Sequence, residues 1–234
     1  MQSLTRNFLR SLLSILVRSG VGIARLLHIN KPLRCLTAKF TFCQWLWQWT
    51  NYNSPLILRG SSDQTSGLRD LIEWLGDRRN LTLVEIGSYR GESASIFLNS
   101  GKFCKVYCVD PWDSCYDVND SAGFTNMKLV EKDFDQLVGS DPRVIKVKGT
   151  IETLIKSYPE LRPDVVYVDG CHTYDAVKND LQITLASLKP RLAICGHDFS
   201  CSFPGCRAAI TEICGDPEKI FADTSWAKRT LQNA

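Results

Sequence analysis

Residues 81–98 read LTLVEIGSYRGESASIFL, and this stretch decides the fold. The apolar run LTLVEI predicts a short buried strand that leads directly into Gly87. The GSYRG loop that follows, and the apolar positions of residues 94–98, predict a helix after the loop. A strand, a glycine loop and a helix in this order form a turn whose backbone N–H groups can receive a carboxylate or a phosphate. The stretch therefore predicts a cofactor-binding turn.

The spacing of the glycines in this turn restricts which cofactor fits. Gly87 lets the backbone approach a ligand closely, and Gly91 permits the turn into the helix. The dinucleotide fingerprint requires Gly-x-Gly-x-x-Gly, and Tyr89 stands where its second glycine would be. The pattern therefore disfavours NAD.

A second apolar run, KVYCVD at residues 105–110, ends in Asp110. In doubly wound folds the acid at the end of the second strand accepts hydrogen bonds from ribose hydroxyls. Strand and helix patterns continue to alternate after it, which predicts a doubly wound, mostly parallel α/β sheet in residues 61–234. The further predicted strands are 143–147, 165–168 and 192–195, and the predicted helices are 68–75, 125–138, 151–157 and 174–188.

Two of the three histidines of the chain, His172 and His197, lie close to two acids that each follow an apolar run. Because parallel strands deliver polar groups to one edge of the sheet, we expect Asp169 and Asp198 to be neighbours there. Two adjacent carboxylates repel each other unless they share a cation or a proton. A hard divalent ion such as Mg²⁺ would resolve this repulsion. Each acid taken alone could instead cap a helix or satisfy a loop.

His172 follows Asp169 by three residues, on the turn that leads into a predicted helix. An imidazole with a pKa of about 6.5 can remove a proton near neutrality when a metal has already acidified the attacked hydroxyl. We therefore interpret His172 as a general base. The alternatives are that it caps the helix or ligates the metal.

Glu85, Gly87, Gly91 and Asp110 together resemble the pattern of class I S-adenosylmethionine-dependent methyltransferases, over about residues 68–228. Within that superfamily, the segment VDGCHTYDAVKNDL followed by GHDF is similar to the metal-dependent sugar and macrolide-sugar O-methyltransferases. This resemblance implies S-adenosylmethionine as cofactor, His172 as catalytic base and a divalent metal, Mg²⁺ or Mn²⁺. The metal ligands would be Asp169, His197 and Asp198. The cofactor-binding residues would be Glu85, Gly87, Ser88, Gly91, Ser93, Asp110, Trp112, Gly149, Thr150 and Asp169.

His197 departs from the resembled group, which generally has an acid immediately before the last metal-binding Asp. An imidazole favours Mn²⁺, Fe²⁺ or Zn²⁺ more than an all-oxygen shell does, unless it lies outside the metal's direct contacts. Two histidines and a carboxylate are also the ligand set of non-haem iron oxygenases. A metal-dependent hydroxylase on the same scaffold is therefore the first alternative to an O-methyltransferase.

Residues 1–60 form a basic, apolar arm. Eight Arg and Lys residues and no acid precede Asp63. Arg18 and Arg25 interrupt the apolar run, which leaves it short of the ~20 residues that a spanning helix needs. The arm could be a helical subdomain that packs on the domain or on a second subunit, an in-plane membrane helix, or a cleaved organelle-targeting peptide. A non-catalytic, membrane-associated protein is the second alternative. Residues 51–67 predict a linker or lid.

The ten cysteines are scattered and include no Cys-x-x-Cys pair, which argues against a structural zinc site and fits a reducing cytoplasm. Cys104, Cys108 and Cys195 fall within predicted buried strands, where we expect them to act as small apolar fillers. As partners we expect a small hydroxylated acceptor such as a sugar or glycoside, and no nucleic acid. Peripheral membrane contact and a homo-oligomer would both depend on the arm.

Overall fold

The computed structural model describes residues 57–113, 122 and 125–230. They form a seven-stranded sheet with helices between the strands. The strands are β1 (Leu81–Ile86), β2 (Phe103–Asp110), β3 (Val144–Lys148), β4 (Val165–Val168), β5 (Ala193–Gly196), β6 (Lys219–Ile220) and β7 (Trp226–Arg229). The helices are α1 (Ser62–Trp74), α2 (Glu92–Asn99), α3 (Met127–Phe134), α4 (Ile151–Ser157), α5 (Tyr174–Ile183) and α6 (Pro204–Cys214). The α3 and α5 helices continue into π-helical turns at Asp135–Gly139 and Thr184–Leu188.

The chain divides into two compact units. Ile57–Trp112 and Val130–Ala234 form the unit that holds the sheet, and Met1–Leu56 and Asp113–Leu129 form the other. Most of the second unit, including the arm, lies outside the described residues, so the predicted helical arm and its boundary at residue 60 stay predictions. Within the described ranges, no helix is both long enough and apolar enough to cross a membrane.

The strand order is β3-β2-β1-β4-β5-β7-β6. The strands from β1 to β5 run parallel to their neighbours, whereas β7 runs antiparallel to β5 and β6. This confirms the predicted doubly wound, mostly parallel sheet. The β4 and β5 strands are adjacent, as expected, and Val168 pairs with Gly196. The residues that follow these two strands therefore meet at one edge.

The central strands β4 and β5 contain no charged residue, because helices cover both faces of the sheet. All four residues of β4 are buried. On one face the α2 side chain Phe97 packs edge-on against Tyr167, with ring centroids 5.3 Å apart. The opposite face carries the larger core cluster, which includes Val84, Ile86, Val166, Val168, Val177, Leu181, Ile194, Ala209 and Ile210.

Most predicted elements are confirmed, with shifts at their ends. The β1, β4 and α4 elements have the predicted bounds. The α1 helix begins at Ser62 rather than at Leu68, because Ser61 and Gln64 form a capping box. The linker prediction is therefore wrong for residues 62–67. Residues 204–229 add α6, β6 and β7, which the sequence pattern does not predict.

No disulfide joins two of the described cysteines. Cys108 and Cys195 are buried fillers in their strands, as predicted, whereas Cys104 is exposed on β2. The prediction of a buried Cys104 is wrong because the amino-terminal part of β2 leaves two consecutive residues exposed.

Candidate functional site

The site lies at the carboxyl edge of the parallel strands, where the β1–α2 turn approaches the end of β4. Gly87 has φ 88° and donates from its N–H to the Val109 carbonyl at 2.8 Å. A Cβ atom on Gly87 would lie 2.0 Å from the carbonyl oxygen of Asp169. Only glycine fits this contact, because a side chain would collide with backbone that cannot move aside. The turn predicted to bind the cofactor therefore lies directly against Asp169.

The start of α2 is shaped by Gly91, its N-cap residue. Gly91 has φ 80°, and a Cβ atom on it would lie 2.7 Å from the Val138 side chain. No described side chain caps this helix start. The first-turn N–H groups of α2 can therefore receive a ligand carboxylate, and the buried Ser93 lies among them.

Glu85 is fully buried beneath this turn. One carboxylate oxygen accepts from the Ser88 hydroxyl at 2.6 Å, while the other, Oε1, has no hydrogen-bond partner within the described part of the chain. Burial raises the pKa of Glu85 to about 7, although hydrogen bonds from Ser88 and Ser93 oppose this shift. A buried acceptor without a donor is unusual in folded proteins. Glu85 is therefore suited to meet an ammonium group of a bound cofactor.

Asp110 ends β2 as predicted and is fixed by two backbone groups. Its carboxylate accepts from the N–H of Tyr89 at 2.8 Å and from that of Trp112 at 2.7 Å. Burial raises its pKa to about 6, against the effect of these hydrogen bonds. Each carboxylate oxygen can accept more than one hydrogen bond, so Asp110 retains acceptor capacity for ribose hydroxyls.

Trp112 lies beside Asp110 and is nearly buried. Its indole N–H donates to the Tyr89 carbonyl at 2.9 Å, and its ring lies 5.0 Å from the Phe134 ring. These contacts fix the indole against α3. Whether its ring also contacts adenine stays a prediction.

Gly149 and Thr150 follow β3, next to the end of β2. The Gly149 N–H donates to the Asp110 carbonyl at 3.0 Å, and the Thr150 hydroxyl donates to Glu152 at 2.5 Å. The predicted cofactor residues therefore form a continuous row along the ends of β1, β2 and β3.

Asp169, His172 and Asp198 come together at the ends of β4 and β5. One ligand atom from each lies within 4.8 Å of those of the other two. His172 Nε2 is 2.7 Å from Asp198 Oδ2 and 4.0 Å from Asp169 Oδ1. Ligands of a single divalent ion lie at about 2.0–2.6 Å from it, so two of them are at most about 5 Å apart. The three side chains therefore fit a divalent cation.

Thr173 accounts for the position of His172. The Thr173 hydroxyl accepts from the N–H of Ala176 at 3.2 Å and caps α5, so the helix begins immediately after His172. His172 itself lies against the Phe203 ring, with centroids 4.6 Å apart. The imidazole is thus held between the helix start and the loop that leads to α6.

His197 contacts the same two carboxylates. Its Nδ1 atom is 3.3 Å from Asp198 Oδ1 and 3.7 Å from Asp169 Oδ1, whereas its buried Nε2 has no hydrogen-bond partner within the described ranges. Burial lowers the pKa of His197, but Asp169 and Asp198 more than offset this, so the pKa is raised. Burial raises the pKa of Asp198, but hydrogen bonds from His172 and His197 hold it below its ordinary value. Asp198 therefore stays ionised at neutral pH.

Arg59 is a site residue that the sequence pattern does not reveal. Its side chain is 6% exposed, and its guanidinium donates to Asp169 Oδ2 at 2.8 Å. The sequence pattern places Arg59 only among the basic residues of the arm. The residues that its guanidinium contacts lie more than 100 positions away in the chain, so no local pattern indicates these contacts.

The sheet order, the glycine turn and the acid at the end of β2 are those of a Rossmann-like methyltransferase fold. Residues 84–199 match the family described as a methyltransferase domain. The matched segment contains every predicted site residue and omits Arg59. No curated protein matches the sequence significantly.

Several solved structures are similar to part of the chain. The methyltransferase domain of bacterial CtHen1-CN is 11% identical with a TM-score of 0.45, and the match covers 72% of this chain and 98% of that one. Spermidine synthase from Thermotoga maritima is 13% identical with a TM-score of 0.42, and the match covers 66% of this chain and 56% of that one. In two other matching structures the chain spans only 44% and 46% of their length.

Proposed function

We propose that this protein transfers a methyl group from S-adenosylmethionine to a hydroxyl oxygen of a small acceptor, such as a sugar or glycoside, with a divalent cation. The observation that carries the proposal is the cluster of Asp169, His172 and Asp198 within 4.8 Å, directly beside the Gly87 turn. Such a cluster has an obvious use in acidifying an acceptor hydroxyl.

The cofactor would lie along the ends of β1, β2 and β3. Glu85 Oε1 would accept from its ammonium group, the first turn of α2 would bind its carboxylate, and Asp110 would accept from its ribose hydroxyls. When bound, S-adenosylmethionine supplies an activated methyl group and the cation lowers the pKa of the acceptor hydroxyl. The remaining task of the chain is to align the acceptor and remove one proton.

Asp169 and Asp198 would hold the cation, because both are carboxylates at adjacent strand ends. His172 would accept the proton of the acceptor hydroxyl, since the imidazole lies at the same edge and 12% of its side chain is exposed. Its Nε2 donates to Asp198 in the structure, so it could accept that proton only when Asp198 holds the cation instead. His197 would complete the cation's ligands through Nδ1, which already faces both carboxylates.

Transfer of labelled methyl groups to a panel of hydroxylated acceptors, with and without a chelator, tests the proposal. We expect turnover to stop in chelator and to return with Mg²⁺ or Mn²⁺. Asp198→Asn should lose both turnover and Mn²⁺ binding, whereas Asp216→Asn, a matched change at an exposed acid beyond the carboxyl end of α6, should keep both. Full turnover in chelator would contradict the metal requirement.

A metal-dependent hydroxylase is the second candidate, because two histidines face the same carboxylates as in an iron-binding set. Two measurements on one protein sample distinguish the hydroxylase from the methyltransferase. Consumption of oxygen or oxoglutarate in the presence of Fe²⁺, without binding of S-adenosylmethionine, would favour the hydroxylase. Calorimetric binding of S-adenosylhomocysteine without such consumption favours methyl transfer.

A further inference from the structure

Arg59 lies outside the matched methyltransferase segment of residues 84–199, yet its side chain reaches the centre of the site. Its Nη2 atom donates to Asp169 Oδ2 at 2.8 Å and to the Tyr167 hydroxyl at 2.7 Å. Its Nη1 atom donates to Asp223 Oδ2 at 3.1 Å. One buried guanidinium therefore joins the end of β4 to the loop between β6 and β7.

The backbone of Arg59 is held as firmly as its side chain. The N–H groups of Leu58 and Arg59 donate to Glu92 Oε2 at 2.9 and 3.1 Å. Glu92 is the first residue of α2, and its other oxygen accepts from Arg90 at 3.2 Å. The segment that carries Arg59 is thus attached to the same turn that is proposed to bind the cofactor.

The far end of the guanidinium meets an equally fixed group. Asp223 accepts from the N–H and hydroxyl of Ser225 at 3.0 and 2.9 Å, and the Ser225 hydroxyl also lies 3.1 Å from the Tyr167 hydroxyl. A Cβ atom on Gly67 would lie 2.3 Å from Asp223 Oδ1, which shows how tightly α1 packs against this carboxylate. Arg59 therefore cannot shift without disturbing several buried partners.

This arrangement assigns different roles to the two oxygens of Asp169. Oδ2 is bound to Arg59, while Oδ1 faces His172 and His197 at 4.0 and 3.7 Å. A cation that took both oxygens of Asp169 would have to displace the guanidinium. That displacement would break a buried ion pair and leave the guanidinium with Asp223 as its remaining carboxylate partner among the described residues, which is unfavourable.

We propose that Arg59 is a positioning residue, which fixes the Asp169 carboxylate so that only Oδ1 can bind a cation. The inference rests on the proposed function, because it concerns the same cation. The consequence would be selectivity for Mg²⁺ and Mn²⁺ over Ca²⁺. A single-oxygen Asp suits the small, six-coordinate Mg²⁺ and Mn²⁺, whereas Ca²⁺ takes six to eight oxygens and often both oxygens of one carboxylate.

The test compares Ca²⁺ and Mn²⁺ affinities of the full chain by calorimetry, with Mn²⁺ binding checked by electron paramagnetic resonance. We expect Arg59→Met to shift the ratio of the two affinities towards Ca²⁺ by at least about tenfold, in line with the effect of removing a partner of a ligating carboxylate. Arg59→Lys keeps the charge without the two-pronged geometry, so its ratio should lie between those of the wild type and Arg59→Met.

Asp223→Asn is the matched control, because it removes the other carboxylate partner of the same guanidinium and leaves the Asp169 contact intact. Asp223→Asn should lower the stability of the chain without changing the ratio of its Ca²⁺ and Mn²⁺ affinities. A ratio that changes equally in Asp223→Asn and Arg59→Met would show a merely structural role and overturn the inference. An unchanged ratio in both Arg59 variants, with Mn²⁺ still bound, would overturn the inference alone. A wild-type chain that binds neither cation would overturn the metal part of the proposed function as well.

Discussion

At the scale of single residues, Glu85 links the cofactor site to the stability of the fold. Its folded pKa of about 7 lies above its ordinary value of 4.5, so the folded chain holds a proton that the unfolded chain releases. The stabilisation is complete below about pH 4.5 and is lost as the pH rises towards 7. We expect wild-type stability, relative to Glu85→Gln, to fall by on the order of 3 kcal/mol across this range. Urea unfolding at pH 5 and pH 8 measures the difference, and parallel curves for the two proteins would contradict the prediction.

His172 is the residue whose role a single substitution can decide. If His172 is a general base, His172→Ala should lower the rate of methyl transfer by roughly 10²–10⁴ while Mn²⁺ and S-adenosylhomocysteine still bind. If His172 is a metal ligand, the variant should lose Mn²⁺ binding together with its methyl-transfer activity. Mn²⁺ titration of the purified variant separates the two roles, and a variant with normal turnover would exclude both.

At the scale of elements, the contact between the β1–α2 turn and the end of β4 controls cofactor binding. Gly87→Ala would place a Cβ atom 2.0 Å from the Asp169 carbonyl, so the turn must move away from β4. We expect weaker binding of S-adenosylhomocysteine, by at least about tenfold if a single charge-assisted contact is lost, and a clear drop in unfolding free energy.

Gly101→Ala is the control for that variant. Gly101 also has positive φ, at 68°, but its Cβ would lie 3.7 Å from the nearest atom, the end of the Arg79 side chain. It should cost only about 1–2 kcal/mol of stability through the left-handed backbone and leave the ligand affinity unchanged. Equal losses of affinity in the two variants would show that the turn responds to general destabilisation rather than to the Asp169 contact.

The elements also show which parts of the structure the sequence can predict. The β1 and β4 strands are buried on both faces, so their apolar runs are unmistakable, and the neighbouring positions of Asp169 and Asp198 follow from the adjacency of β4 and β5. Both residues of β6 are exposed, so this strand has no apolar run by which to recognise it. Arg59 escapes prediction for another reason, since its role depends on long-range packing.

At the scale of the whole molecule, the sequence predicts an arm that is separable from the catalytic domain, and the contacts of Arg59 set where a cut can be made. Deletion of residues 1–56 leaves Leu58 and Arg59 in place and should preserve S-adenosylhomocysteine affinity, while changing self-association or liposome binding. Deletion of residues 1–60 also removes Arg59, the partner of Asp169 and Asp223. This shorter chain should therefore unfold at a lower denaturant concentration. Calorimetry, light scattering and urea unfolding of the two truncated chains provide the measurements. Equal stability of both would show that the Arg59 contacts do not support the fold.

The distance in sequence between Arg59 and Asp223 has a consequence for biosynthesis. The two residues are 164 positions apart, so a ribosome that adds about 5–20 residues per second makes Asp223 roughly 8–33 s after Arg59. Until then, the nascent chain carries a guanidinium that lacks one of its two carboxylates, and the strand β7, which pairs with β5, has not yet been made. A polypeptide released before β7 is made would therefore leave this guanidinium without Asp223 and one side of β5 without a paired strand.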